Sequence, residues 1–203
     1  WQTEMPDFWL PGGSVWLQKR DSHAVDVHFG GEVKECWFDN HHSVSLQNTT
    51  AVRAVPYDLM VAGADGKSVN ILRLWSSETR AIDMAAFNQG DYLRAAEQQA
   101  MAESISKVLY PEDNHMEGKA LRLRQQYFLV SASIQDILHR HLHKYSTLEN
   151  LPDKVAIHIN DTHPALVIPE LMRHLLDDCG YSWNKAWDIV CRTAAYTNHT
   201  VMQ

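Results

Sequence analysis

Near Gly90 the hydrophobic repeat changes from two residues to three or four, and this divides the chain into a strand-forming part and a helix-forming part. Before it, Val25, Val27 and Phe29 fall on one face of a run whose other face carries Asp26 and His28. That is the pattern of a half-buried strand, and Gly30-Gly31 predicts a hairpin turn from residues 23–29 into 32–38. A second hairpin is predicted between 51–61 and 68–75, turned by Ala62-Gly63-Ala64-Asp65-Gly66. Gly12-Gly13 fits a further turn. Pro56 has no N–H to give to a ladder, so an edge or a bulge is expected there.

Past Gly90, Leu93, Ala96, Ala100, Met101, Ile105, Val108 and Leu109 form a helical stripe over 91–109, closed by Tyr110-Pro111. A polar loop over 112–118 precedes a helix over 119–143. Its Leu121, Tyr127, Phe128, Val130, Ile134, Ile137 and Leu138 cover much of its girth, so burial on several sides is expected. Val155, Ala156, Ile157 and Ile159 then make the short apolar run of a buried parallel strand over 154–160. Asp161-Thr162-His163-Pro164 leads into a helix through Arg173 and Leu176, stopped by Gly180. Ser182 is expected to cap a last helix over 183–194, which leads to Tyr196-Thr197-Asn198-His199.

Strand, polar loop and helix make one half of a doubly wound unit. Such units bind ligands at the carboxyl ends of their strands, where Asp161 and His163 fall. The expected class is therefore α/β over 1–203, as one large domain or as a single partial domain of a bigger one. Residues 1–82 are mainly β, with antiparallel hairpins, and 83–203 mainly α with a strand near 154–160.

A net charge of −7 supplies no basic stripe for nucleic acid. Three cysteines, odd in number and far apart, give no disulfide framework and favour a reduced, cytoplasmic setting. No apolar run reaches bilayer-spanning length, and the glycines form no phosphate cradle. The chain opens at Trp1 without an initiator Met and ends at Thr200-Val201-Met202-Gln203 without a cap, so both ends are expected to be cuts.

Three polar clusters interrupt the apolar elements at turns: Asp113-Asn114-His115, Asn160-Asp161-Thr162-His163 and Thr197-Asn198-His199. Amides, hydroxyls and imidazoles both donate and accept, as sugar hydroxyls require, although the same residue types also populate loops for structural reasons. Asp113 and Asp161 also admit a glycosidase-like carboxylate pair, and Asn-Asp-x-His after a strand a metal-dependent phosphoesterase. His139, His141 and His143 share one helix, but only His139 and His143 share a face, and His41-His42 reads as a loop pair; no metal site is expected from either group. Trp75, Trp183 and Trp187 are read as core.

Read in order, further stretches carry a resemblance. They include Arg73-Leu74-Trp75-Ser76, Asn88-Gln89-Gly90-Asp91-Tyr92, Leu109-Tyr110-Pro111-Glu112-Asp113-Asn114 and Glu117-Gly118-Lys119-Ala120-Leu121-Arg122-Leu123. Lys154 to Pro164, Ile168 to Arg173, Lys185-Ala186-Trp187 and Ala195 to Thr200 complete the series. Together they resemble the α-glucan phosphorylases (glycogen, starch or maltodextrin phosphorylase) over nearly the whole chain.

The resemblance implies the later part of the N-terminal lobe of a GT-B hexosyltransferase. In that family phosphate attacks a terminal α-1,4 linkage of a glucan, releasing glucose 1-phosphate with retention. Pyridoxal phosphate is the cofactor, and its lysine belongs to the other lobe, so the chain alone is expected to be inert. By the same resemblance His199 is catalytic, bonding the sugar 6-hydroxyl and turning its carbonyl to the developing positive charge. Asn114 matches the gating-loop amide that meets the 2-hydroxyl. Asp161 and His163 match residues lining the glucan side, and Asp113 and Arg122 an acidic gate residue and a nearby arginine. The helix over 91–109 matches one packed across a homodimer interface.

Glu112 departs from the family's usual Asn, and His115 from the aromatic of regulated animal enzymes. His139-Arg140 stands where those enzymes carry two arginines for a nucleotide phosphate, so an unregulated, bacterial-type enzyme is expected. A non-catalytic glucan-binding or assembly module is the alternative of a different class.

Overall fold

The structure, a computed structural model, describes residues 16–38, 41–79 and 84–199; the Gly12-Gly13 turn lies outside them. The first half is an antiparallel sheet built on one long strand, β5 (Thr50–Ala62), with β1 (Leu17–Lys19), β2 (Val25–Phe29) and β6 (Val69–Glu78). β6 pairs along one edge from Ala62↔Val69 to Arg53↔Glu78, as the predicted hairpin requires. β1 and β2 share the opposite edge, on residues 57–59 and 50–54 of β5. Pro56 therefore lies in the central strand, against expectation. Its carbonyl accepts from the Arg20 N–H at 2.9 Å, so its nitrogen faces the gap between β1 and β2, where no ladder donor is required.

The Gly30-Gly31 hairpin is not formed. β2 pairs with β5, while β3 (Glu32–Phe38) pairs with β4 (His41–Gln47) in a separate two-stranded ribbon. Gly30 and Gly31 do take positive φ, 65° and 89°, but they swing the chain out of the sheet. A Cβ on Gly31 would fall 2.5 Å from the carbonyl oxygen of Gln47, which ends the facing strand of the ribbon. His41 and His42 are thus strand residues, not a loop pair, and His42 stacks on Trp37 with ring centroids 4.5 Å apart.

Helices follow: α1 (Met84–Asn88), α2 (Tyr92–Lys107) and α3 (Met116–Tyr145). α2 buries Ala102 and Ile105, whereas Leu93 and Met101 of the predicted stripe are exposed. α3 is sandwiched. Phe128 and Ala132 join Val27, Val52 and Ala54 in one core; Val130, Ile134 and Leu138 join Leu151, Ile159, Leu171 and Ile189 in a second. Residues two apart on a helix lie about 200° apart, so the two stripes face opposite ways.

The short helix α4 (Leu151–Lys154) takes the start of the predicted strand, leaving β7 as Ile157–Asn160. α5 (Val167–Arg173) runs on through a π turn, His174–Asp178, and Gly180 stops it with φ 68°. α6 (Trp183–Thr193) buries Ala186, Ile189, Val190 and Thr193. Trp183 and Trp187 flank that arc and are 63% and 46% exposed, which corrects their core reading. Trp75 is partly buried and donates Nε1–H to Ser133 Oγ at 3.2 Å. Ser182 stands at the start of α6 without a side-chain capping bond. Directly after α6 comes β8 (Ala194–Thr197), not anticipated as a strand, which pairs parallel with β7 from Ile157↔Ala194 to Asn160↔Thr197. Among the described residues the architecture is mixed α/β, with antiparallel hairpins and one parallel strand pair.

Buried ionic clusters fasten α3 on both sides. Toward the sheet, Arg73 donates Nε and Nη2 to Asp58 at 2.7 and 2.8 Å and Nη1 to Asp136 of α3 at 2.7 Å. Toward α5, Glu170 accepts from Ser131 Oγ of α3 at 2.8 Å and from Arg173 Nε and Nη2 at 3.0 and 3.2 Å. His174 Nδ1 lies 2.6 Å from Asp178 Oδ2. Burial alone would push the Glu170 carboxyl up; bonds from His174, Arg173 and Ser131, with the Arg173 charge, outweigh it and hold the group at about 2. Burial likewise works against charge on His174, but bonds to Asp178 and Glu170 win and raise its pKa.

Candidate functional site

The parallel pair ends in polar residues on both strands. Asn160 closes β7 opposite Thr197, the last residue of β8, and the Asp161 N–H donates to the Thr197 carbonyl at 2.7 Å. This bond ties the loop after β7 to the end of β8. Asp161 takes φ 68°, a left-handed conformation that its short side chain tolerates, and its Oδ1 accepts the Thr162 N–H at 2.8 Å. The chain is thereby turned back over the strand ends.

A cavity of about 360 Å³ opens at these ends. It is lined by Asn160, Asp161, His163, Pro164 and His199 from the strand ends, Gln126 and Leu129 from α3, and Tyr110. Asp161, His163 and His199, singled out from sequence, thus share one hollow. His199 Nε2 is hydrogen-bonded to Asn160 Oδ1, and His158 Nε2 to Thr197 Oγ1.

The loop before α3 approaches from the side. Tyr110, with φ 54°, sets its ring edge-on to His163, centroids 6.4 Å apart. A bulky residue at positive φ is strained, and such strain gathers at functional sites. The Arg122 guanidinium lies 5.9 Å from the centroid of the Tyr110 ring and is ion-paired with Asp113. Asn114 is not among the cavity's lining residues; its Nδ2 donates to Glu112 Oε1 at 2.6 Å. Arg122 therefore adjoins the cavity through Tyr110 and holds Asp113 beside it, while the Asn114 amide is turned to Glu112.

The same loop packs against the start of α3. His115 caps the helix, its Nδ1 accepting from the Gly118 N–H at 3.0 Å. Gly118 is buried, and a Cβ there would lie 1.9 Å from the Glu112 carbonyl oxygen, so no larger residue fits without moving the loop.

Tyr110, Gln126, Leu129 and Pro164 were not singled out from sequence. A signal existed for two of them: Arg122, Gln126 and Leu129 follow i, i+4, i+7 along one face of α3. The histidine group on α3 is not a gathered set. His141 is buried and bonded through Nε2 to Asn150 Oδ1 at 2.9 Å, as a core histidine. Among the described residues no group of three or more His, Cys, Asp or Glu side chains is placed to hold a metal ion. Among them, too, no helix is long and apolar enough to cross a membrane.

Comparison with known proteins places the chain in a family. The family model for carbohydrate phosphorylase matches residues 1–203. The chain is 48% identical to glycogen phosphorylase of Haemophilus influenzae over 202 residues, covering 99% of this chain and 24% of the relative. It is 48% identical to glycogen phosphorylase of Pasteurella multocida over 206 residues, 99% of this chain and 24% of that protein. With the brain form of human glycogen phosphorylase it shares 45% identity over 211 residues, 100% of this chain and 25% of the relative. The chain thus spans about a quarter of the length of these curated relatives. A family match over the whole chain and this level of identity establish that it belongs to the carbohydrate phosphorylase family.

Proposed function

We propose that this chain forms the glucan-side wall of the catalytic cleft in an α-1,4-glucan phosphorylase, within the N-terminal lobe of a GT-B enzyme. The observation that carries the reading is the meeting of Asp161, His163 and His199 in one cavity at the carboxyl ends of β7 and β8. The whole protein phosphorolyses terminal glucose units of glycogen, starch or maltodextrin to glucose 1-phosphate. His199 holds the terminal glucose through a ring hydroxyl and turns its carbonyl dipole toward the anomeric carbon. Positive charge grows there only in the transition state, so the dipole aids rate and not merely binding. Asn114, Asp113 and Arg122 form the mobile rim: Asn114 exchanges its bond to Glu112 for one to a sugar hydroxyl when glucan enters.

The family uses pyridoxal phosphate, which supplies a phosphate group for proton exchange with the reacting phosphate. The cavity lining does not fit it, for none of its residues is a lysine able to form a Schiff base or an arginine able to clamp a phosphate. We assign the cofactor to the remainder of the longer protein and expect no turnover from this quarter alone. Apolar side chains left bare, such as Trp183, Trp187, Leu93 and Met101, fit burial against that remainder or across a homodimer formed through α2. A cytoplasmic enzyme without nucleotide activation completes the reading.

Phosphorolysis of maltoheptaose by the full-length enzyme tests it. His199→Ala should lower kcat by about 100-fold or more, and Asn114→Ala by at least about tenfold. Near-normal rates in both would overturn the site; AMP activation would overturn the unregulated reading alone.

A further inference from the structure

His199 is only as useful as its ring is fixed, and the structure names the group that fixes it. Asn160 is the last residue of β7, in register with Thr197, and its Oδ1 meets His199 Nε2 at the cavity wall. Thr197 on this rung is itself held: His158 Nε2 engages its hydroxyl, and the Asp161 N–H engages its carbonyl. A carbonyl oxygen only accepts. In the neutral ring its bond therefore takes the imidazole proton on Nε2 and leaves Nδ1 an acceptor.

We infer that Asn160 is a positioning residue: it sets the tautomer and ring plane of His199, so that Nδ1 is offered as an acceptor to a hydroxyl of the bound glucose. This rests on the glucan reading of the cavity. An amide suits the task because it orients without charging. A carboxylate at the same place would accept the same bond but favour the imidazolium, which has no acceptor left.

The test is a double-mutant cycle on the full-length enzyme with maltoheptaose and phosphate, joined to a pH profile. Asn160→Ala should lower kcat/KM roughly 10- to 100-fold, yet cost almost nothing further in a His199→Ala background. Asn160→Asp, which keeps the acceptor, should recover most of the rate at alkaline pH and move the acid limb of the profile upward by about one unit or more. A slow His199→Ala enzyme in which Asn160→Ala costs the same as in wild type overturns this inference alone, as does an Asn160→Asp profile with an unmoved limb. A His199→Ala enzyme of normal rate overturns the glucan reading, and this inference with it.

Discussion

Each face of α3 is fastened through buried carboxylates, two on one side and one on the other, and the two fastenings differ in kind. On the sheet side, Asp58 and Asp136 are held by Arg73, with Arg20 and Arg140 as outer partners. On the α5 side, Glu170 is held by Arg173, Ser131, Tyr127 and His174. Guanidinium groups keep their charge across the whole working range, whereas an imidazole does not. The bond to Arg73 is the main reason the Asp58 carboxyl is lowered, with burial working against it. The first cluster therefore behaves as a clamp whose arginine keeps its charge. The second is graded by pH, and it lies beneath the helix that follows the candidate site.

The largest effect expected is from Arg73→Ala. It removes the guanidinium that bridges Asp58 and Asp136, whose side chains are 3% and 8% exposed, and leaves them to Arg20 and Arg140, so the cost should lie near the lower end of about 3–5 kcal/mol. Urea unfolding followed by tryptophan fluorescence measures it, and a loss below about 1 kcal/mol would mean the clamp is ornamental. Next comes the pH response of the α5 cluster. Glu170 is depressed, so its contribution, roughly 3 kcal/mol, is present above pH 4.5 and fades as pH falls toward about 2. His174 is raised, so its contribution is full below pH 6.5 and fades as pH climbs through its folded value. Stability of the α5 side should thus peak between about pH 4.5 and 6.5, and His174→Gln should erase the alkaline decline in hydrogen exchange of α5. An unchanged decline would break the contrast between the clusters.

Smaller again is Gly118→Ala, which should cost on the order of 1–3 kcal/mol by forcing the 112–115 loop off α3. Maltoheptaose phosphorolysis by the full-length variant should fall more than its stability does; equal losses would detach the loop from the site. The smallest is Asp113→Asn. Its pairing with Arg122 lies at the surface, so unfolding should shift by less than about 1 kcal/mol.

The sequence made β5, β6 and the Asp161 turn legible because each carries its own local signal: alternation, turn glycines, an apolar run ending in polar residues. β8 carried none. Ala194-Ala195 continues a helix as readily as it starts a strand, and only pairing with β7 decides. The β2–β3 hairpin failed for a related reason, since Gly30-Gly31 marks a turn but says nothing of which partner waits beyond it. Within the site, Asp161, His163 and His199 could be read from motif and resemblance. Tyr110 could not, because its place depends on a positive φ and on Arg122 and His163 packing around its ring. The ionic clusters were equally hidden: Glu170 and Asp136 look like surface charges until their distant partners are in place.

One consequence follows from the opposed stripes of α3. Phe128 and Ala132 belong to one core and Val130, Ile134 and Leu138 to the other, so neither hydrophobic body owns a complete wall without this helix. The two should melt as one cooperative unit, with amides in the middle of α3 exchanging last.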